Sequence, residues 1–216
     1  MKINTLKNIF IFLKPKSNEL RKCIYITLII DFMKTKKILS IALFALVFGA
    51  TSFAQKSVMV GGAAMYPTKN IVENALNSKD HTTLVAAVKA AGLVETLQSK
   101  GPFTVFASTN AAFNKLPKGT VETLLKPENL KTLETILTYH VVAGKMNTSA
   151  IAKAIKMGKG KAMLKTVSGG TLTAWMKGKN IYITDENGNS AKVTIADVNQ
   201  SNGVIHVIDA VVLPKQ

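Results

Sequence analysis

Hydrophobic spacing changes once along this chain, near residue 160, and that change restricts the fold more than any other feature. Before it, apolar residues recur at helical intervals: Ile71, Val72, Ala75 and Leu76, then Leu84, Ala87, Val88 and Ala91, then Leu130, Leu133, Ile136 and Leu137. After it come short β-branched runs, "AMLKTV", "TLTAWMK", "NIYITD", "SAKVTIAD" and "GVIHVIDAVVLP", separated by Gly-Gly, Gly-Lys-Asn and Asn-Gly turns. One earlier segment, "FTVFA" at 103–107, also alternates like a strand. Helices first and strands later predict an α+β domain with a mostly antiparallel sheet.

Punctuation residues place the elements. Thr68 is the expected cap of the first helix and Asp80 of the second, which Gly92 stops. "LVETLQ" adds a short piece before Gly101-Pro102, and Thr109-Asn110 form a capping pair for "AAFNKL", which Pro117 ends. Thr120 opens "VETLL". Pro127 stands at the first turn of a longer helix that delivers Tyr139-His140 at its C-terminal end, and Thr148 is the expected cap of "SAIAKAIKM". In "VMVGGAAMYPTKN", 58–70, Gly61-Gly62 and Pro67 argue against regular structure. Its apolar residues argue against a plain linker, so 55–67 reads as an arm that packs along the domain or docks on a neighbour.

The N-terminal quarter is of another kind. Lys34, Lys36 and Lys37 precede an apolar run, Ile38 to Ala50, and Ser52-Phe53-Ala54 supplies small residues at −3 and −1 of a cleavage site. That is the layout of a secretory signal peptide at 33–54, cleaved after Ala54, with an apolar run short for a membrane span. Residues 1–32 then read as a mis-assigned upstream start; the alternative is a cytoplasmic tail ahead of an uncleaved anchor, the one route to membrane attachment. Cys23, the single cysteine, falls in this discarded part, so the secreted portion has no disulfide framework and no Cys-based metal or redox site.

Nine of the 28 Lys+Arg and two of the 12 Asp+Glu lie in residues 1–54, which leaves 19 basic and ten acidic residues, a net +9 of the whole chain's +16. Such a surface favours anionic partners. Secretion makes nucleic acid the least expected of them and points to polysaccharide or lipid head groups. The charge concentrates in "AKAIKMGKGKAMLK", where Lys153, Lys156, Lys159, Lys161 and Lys165 run without an intervening carboxylate. A solvated face is the plain reading of such a run; contact with an anionic polysaccharide or lipid head group is the functional one.

Three stretches, "TVFASTNAAF" (104–113), "LTYHVV" (137–142) and "NGVIHVIDAVVLP" (202–214), resemble in order and spacing the first conserved box, the Tyr-His box and the second conserved box of fasciclin (FAS1) domains. The resemblance spans 68–214. It implies a fasciclin-like fold, an antiparallel β-sandwich or wedge of about seven strands against a layer of short helices. It also implies adhesion or matrix-binding roles without enzymatic activity or a cofactor, and structural parts for Thr109, Asn110, Phe113, His140, His206 and Asp209. Family members commonly carry proline where this chain has Ser108. In some animal members the Tyr-His region is associated with integrin binding; here it suggests only that Tyr139, His140 and the lysines after them (Lys153, Lys156, Lys159, Lys161) neighbour a binding surface.

Tyr139 and His140 sit between Ile136-Leu137 and Val141-Val142, so the residues themselves predict burial, with hydrogen bonds satisfying the imidazole. A contact surface is then expected on an exposed rim beside Tyr139. Ser108, His140 or His206, and Asp209 supply the residue types of a catalytic triad, but no Gly-x-Ser-x-Gly elbow surrounds Ser108. A small-molecule carrier or hydrolase with a cleft near the Tyr-His box is the alternative reading. "DENGNS" (185–190) lacks the glycine and glutamate of a calcium loop and reads as a hairpin turn, so no metal site is expected. The oligomeric state is open.

Overall fold

The computed structural model describes residues 57–215. The expected upstream extension, signal peptide and cleavage point, all within 1–54, lie outside the described residues.

The described residues open with a hairpin, β1 (Val58–Val60) and β2 (Ala63–Met65), paired from Val58 with Met65 to Val60 with Ala63. This corrects the reading of Gly61-Gly62 as a bar to regular structure. Both glycines have positive φ (57° and 76°), the pattern of a type I′ turn, which matches the twist of the strands it joins. Val60 and Met65 are buried, so the arm packs along the domain.

Helices α1 (Ile71–Ala75), α2 (Thr82–Ala90) and α3 (Val94–Gln98) follow. Thr68 does not cap α1. Asn70 does, in a reciprocal box: its Oδ1 accepts from the Glu73 amide (2.9 Å) while its own N–H donates to the Glu73 carboxylate (2.8 Å). Nor does Asp80 cap α2, which is preceded by a 3-10 turn, Lys79–His81. Its free Thr83 amide donates to Asn110 Oδ1 (3.0 Å), 27 residues away, so a tertiary contact replaces the local cap.

Next come β3 (Phe103–Ser108), α4 (Asn110–Phe113), α5 (Thr120–Leu124), α6 (Leu130–Tyr139), β4 (Val141–Ala143) and α7 (Thr148–Met157). Asn147 is the N-cap of α7, accepting from Ala150 N–H (2.8 Å). Thr148 is its first residue, held by both carboxylate oxygens of Asp197. The last elements are β5 (Lys161–Lys165), β6 (Thr171–Lys177), β7 (Asn180–Thr184), β8 (Ser190–Gln200) and β9 (Gly203–Ile208). The final strand ends at Ile208, short of the expected 214, because the chain bends at Asp209 and Ala210.

Seven strands form one sheet in the order β4-β3-β9-β8-β7-β6-β5. Pairing is antiparallel except between β3 and β9, which run parallel from Phe103 beside Gly203 to Ser108 beside Ile208. A bridge between Val142 and Thr166, with Val167 N–H donating to Val141 O (2.8 Å), brings the two edge strands together and nearly closes the sheet. Inside it, Phe106, Leu172, Ile183 and Ile208 pack with Ile151 and Ile155 of α7. The opposite faces of β3 and β9, through Val105, Ala107, Ile205 and Val207, pack under the hairpin and α1. A further cluster of Ala87, Leu93, Leu133 and Leu137 joins α2 to α6. Strands β3 and β9 are thus covered on both sides, which is why "GVIHVI" is buried at every position. Strand β5, buried on one face only, alternates strictly.

Candidate functional site

Helix α6 carries Leu133, Leu137 and Tyr139 to the core and ends at His140, its C-cap. The consecutive rings then diverge. Tyr139 is fully buried; its hydroxyl donates to Thr171 O (2.8 Å) and accepts from Glu186 N–H (3.2 Å), tying α6 to the start of β6 and to the β7–β8 turn. Burial pushes its phenol up to about 12. The ring lies against Gly170, where a Cβ would meet Tyr139 Cε2 at 2.6 Å. His140 points to the other side. Its Nδ1–H donates to Ile136 O (2.8 Å), and Nε2 accepts from Val212 N–H and faces Ser108 Oγ, both at 3.3 Å. Burial holds its pKa below the ordinary histidine range, and this bonding pattern is that of the neutral ring.

The pair is buried, as its apolar flanks predict: Tyr139 is 0% and His140 4% exposed, so neither ring is itself a contact residue for a partner. The two rings bond inward to four other chain segments, at Ser108, Thr171, Glu186 and Val212.

The box residues surround this junction. Thr109 caps α4 through Ala112 N–H (3.2 Å). Asn110, besides receiving Thr83 N–H, donates to Lys79 O (2.9 Å) and Thr82 Oγ1 (3.0 Å), so one amide fastens the end of β3 to the start of α2. Phe113 is half-buried. His206 stacks on Phe106 across the parallel β3–β9 pair, centroids 5.8 Å apart. Its Nε2–H donates to Met146 O (2.8 Å), Nδ1 accepts from Asp197 N–H (3.4 Å), and burial lowers its pKa. Asp209 closes the β8–β9 edge: Oδ1 accepts from Lys192 N–H (2.8 Å) and its own N–H donates to Lys192 O (3.1 Å).

These contacts also separate the residue types of the triad. Ser108 Oγ does reach His140 Nε2, but Nδ1 is spent on a backbone carbonyl, Asp209 on Lys192, and Ser108 is fully buried. A nucleophile–base pair without an orienting carboxylate or an approach for substrate has little use. "DENGNS" is the β7–β8 hairpin, with Asp185 accepting from the amides of Asn187, Asn189 and Leu213. Among the described residues no three His, Cys, Asp or Glu side chains cluster as metal ligands would.

The lysines occupy the opposite kind of environment. Lys153 and Lys156 lie on the exposed side of α7, while Ile151 and Ile155 take its buried side. Lys159 sits in the turn after it at φ 55°, a left-handed position usually given to glycine. Lys161 and Lys165 point outward from β5. From residue 135 to 184 there are eight lysines and no acidic residue. Strand register extends this face beyond what charge spacing revealed. Lys161 is paired with Trp175, Trp175 with Tyr182, and Tyr182 with Lys192, a row across four strands. In it the two aromatic rings stack at 4.7 Å. The period-2 alternation of β6 and β7 is the signal that puts Trp175 and Tyr182 on outward positions; it went unused in the sequence, and only the register aligns the two rings with lysines.

One further residue escaped the sequence reading. His81, just before α2, is 1% exposed; Ser78 Oγ meets its Nδ1 (2.8 Å), while Nε2 is a buried polar atom without a partner. Leaving such a group unpaired costs ~1–3 kcal/mol. It lines an apolar cavity of about 80 Å³ between the helices and the sheet, which His140 also borders.

A model of the fasciclin domain matches residues 79–214. The chain is 49% identical over 160 residues to protein sll1483 of Synechocystis sp., covering 74% of this chain and 82% of that one. It is 31% identical over 166 residues to the cell surface glycolipoprotein MPB83 of Mycobacterium bovis, covering 74% and 68%. Among solved structures, a FAS1 domain pair from the insect cell adhesion molecule Fasciclin I superposes with a TM-score of 0.60 at 18% identity, over 67% of this chain and 51% of that one, a likeness of fold. With the three boxes assembled at one junction, the match over most of the described residues is decisive: the chain belongs to the fasciclin domain family.

Proposed function

We infer that this protein is a non-enzymatic, extracytoplasmic binding module that attaches to an anionic polysaccharide of a cell surface or matrix through its lysine face. The observation that carries the reading is the run of exposed lysines on α7, the turn after it and the outside of β5, uninterrupted by carboxylates. A one-sign patch raises the local concentration of an anionic polymer, and several weak contacts add along its length. Trp175 and Tyr182, stacked between Lys161 and Lys192, add an apolar surface suited to sugar rings within the same row. A cell surface glycolipoprotein and a cell adhesion molecule among the similar proteins, together with the leader-like segment at 33–54, support an extracytoplasmic setting. The saturated hydrogen bonds of His140 and the burial of Ser108 support binding over catalysis.

The test is retention of the purified protein on immobilised heparin. Retention is expected to weaken steeply as salt rises, and to disappear when Lys153, Lys156 and Lys159 are all replaced by glutamate. Retention that ignores salt, or survives the triple replacement in a folded protein, removes the lysine face from the function.

A further inference from the structure

The helical layer leaves apolar side chains unfilled on its inner side. Leu84, Val85 and Val88 of α2, with Val94 and Leu97 around α3, are only half-buried although they line the cavity above β3 and β9. Val105, Ala107 and Ile205 form its floor and Leu137 of α6 a wall. Its volume, about 80 Å³, is several times the ~10–15 Å³ that one water requires. The lining is almost wholly hydrocarbon, so a water placed there would find few of the two to four polar partners it needs. Of the two imidazoles on its wall, His140 is bonded at both nitrogens, whereas His81 has Nδ1 engaged by Ser78 and no formed hydrogen bond at Nε2, with the Ala107 backbone beside the ring.

We propose that this cavity is a binding site for a small neutral molecule with an apolar body and one hydroxyl, an aliphatic alcohol or a phenol, whose hydroxyl pairs with His81 Nε2. The chemistry selects this class in three steps. The hydrocarbon walls favour an apolar body and disfavour charge, because a carboxylate or ammonium would be buried without a counter-ion at the imidazole. A pure hydrocarbon would fill the space and leave Nε2 unpaired. A hydroxyl both donates and accepts, so it satisfies Nε2 whichever way the Ser78–His81 hydrogen bond runs. Lys89, near the C-terminal end of α2, is an exposed member of the same lining, at the other end of the helix from His81. The site lies apart from the lysine face and does not depend on it.

The experiment titrates the purified protein with 1-hexanol and with phenol, reading the His81 imidazole nitrogens by NMR. Hexanoate and benzene serve as comparators. Saturable binding of 1-hexanol that moves the His81 Nε2 signal is expected, with hexanoate at least ten-fold weaker and benzene leaving Nε2 unchanged. Val88→Phe, which fills the cavity, should abolish binding of 1-hexanol, phenol and benzene alike. His81→Phe should bind benzene and lose the preference for the alcohol. No saturable shift, equal binding of hexanoate, or undiminished binding in Val88→Phe overturns the proposal. Should either variant fail to fold, the comparison of ligands on the unaltered protein decides alone.

Discussion

Two buried histidines border the same cavity, and they differ in one respect that separates architecture from opportunity. His140 bonds through both nitrogens, to Ile136 O on its own helix and to Val212 N–H beyond the last strand. His81 is at least as buried but bonds through one nitrogen only. Burial by itself therefore says little about purpose. A satisfied ring is a fastener, because removing it strands its partners; an unsatisfied ring carries a cost that a ligand could relieve.

The largest expected effect comes from testing that contrast directly. His140→Ala leaves the Val212 amide and Ile136 carbonyl unpaired and opens a hole, and should lower unfolding stability by about 3–5 kcal/mol. His81→Phe keeps the shape and forfeits only the Ser78 bond, so its cost should be about 1–2 kcal/mol. Denaturant unfolding of the two variants checks this, and equal losses would break the comparison.

A second, somewhat smaller effect concerns pH. Burial lowers the pKa of His81, His140 and His206 below the ordinary 6.5. As pH falls through 6.5 the unfolded chain takes up protons that the folded protein refuses. Stability is therefore full above pH 6.5 and falls below it, each histidine approaching ~1.4 kcal/mol per pH unit until its folded pKa is reached. Unfolding free energies between pH 7.5 and 5.5 should show this decline. 1-Hexanol bound at His81 should deepen it by holding that ring neutral, whereas a flat profile contradicts neutral burial.

The smallest effect sharpens the Tyr139 half of the junction. Gly170→Ala places a methyl against the Tyr139 ring, which is fixed by two hydrogen bonds and cannot easily move aside. A loss of about 1–3 kcal/mol is expected, read as a lower thermal midpoint. No change would show that the tyrosine is held less firmly than its bonds imply.

Much of this was legible from residue order. The change of hydrophobic period located the helical and sheet halves, and apolar neighbours on both sides announced the burial of Tyr139 and His140. Local signals misled where two residues competed for one task. Thr68 and Asp80 are acceptable caps by type, yet Asn70 wins through its reciprocal partner Glu73, and Asn110 through a contact that no local window contains. Gly61-Gly62 looks like a breaker by residue type, although the same dipeptide is a hairpin signal. Strand β4, three residues long, was invisible because it exists only by pairing with β3.

Composition and spacing by themselves determined the class of domain, the absence of cysteine after residue 23 and the uninterrupted lysine run. These are properties of neighbouring residues, and neighbours are what a sequence records. Tertiary structure decided which histidines are satisfied, which lysines share a row with Trp175 and Tyr182, and that His81 faces a cavity. Each of those depends on partners brought together from distant positions: Val212 is 72 residues from His140, and Lys192 is 31 from Lys161. Hydrogen bonding and packing act over a few ångströms in space, and only the folded chain sets those distances.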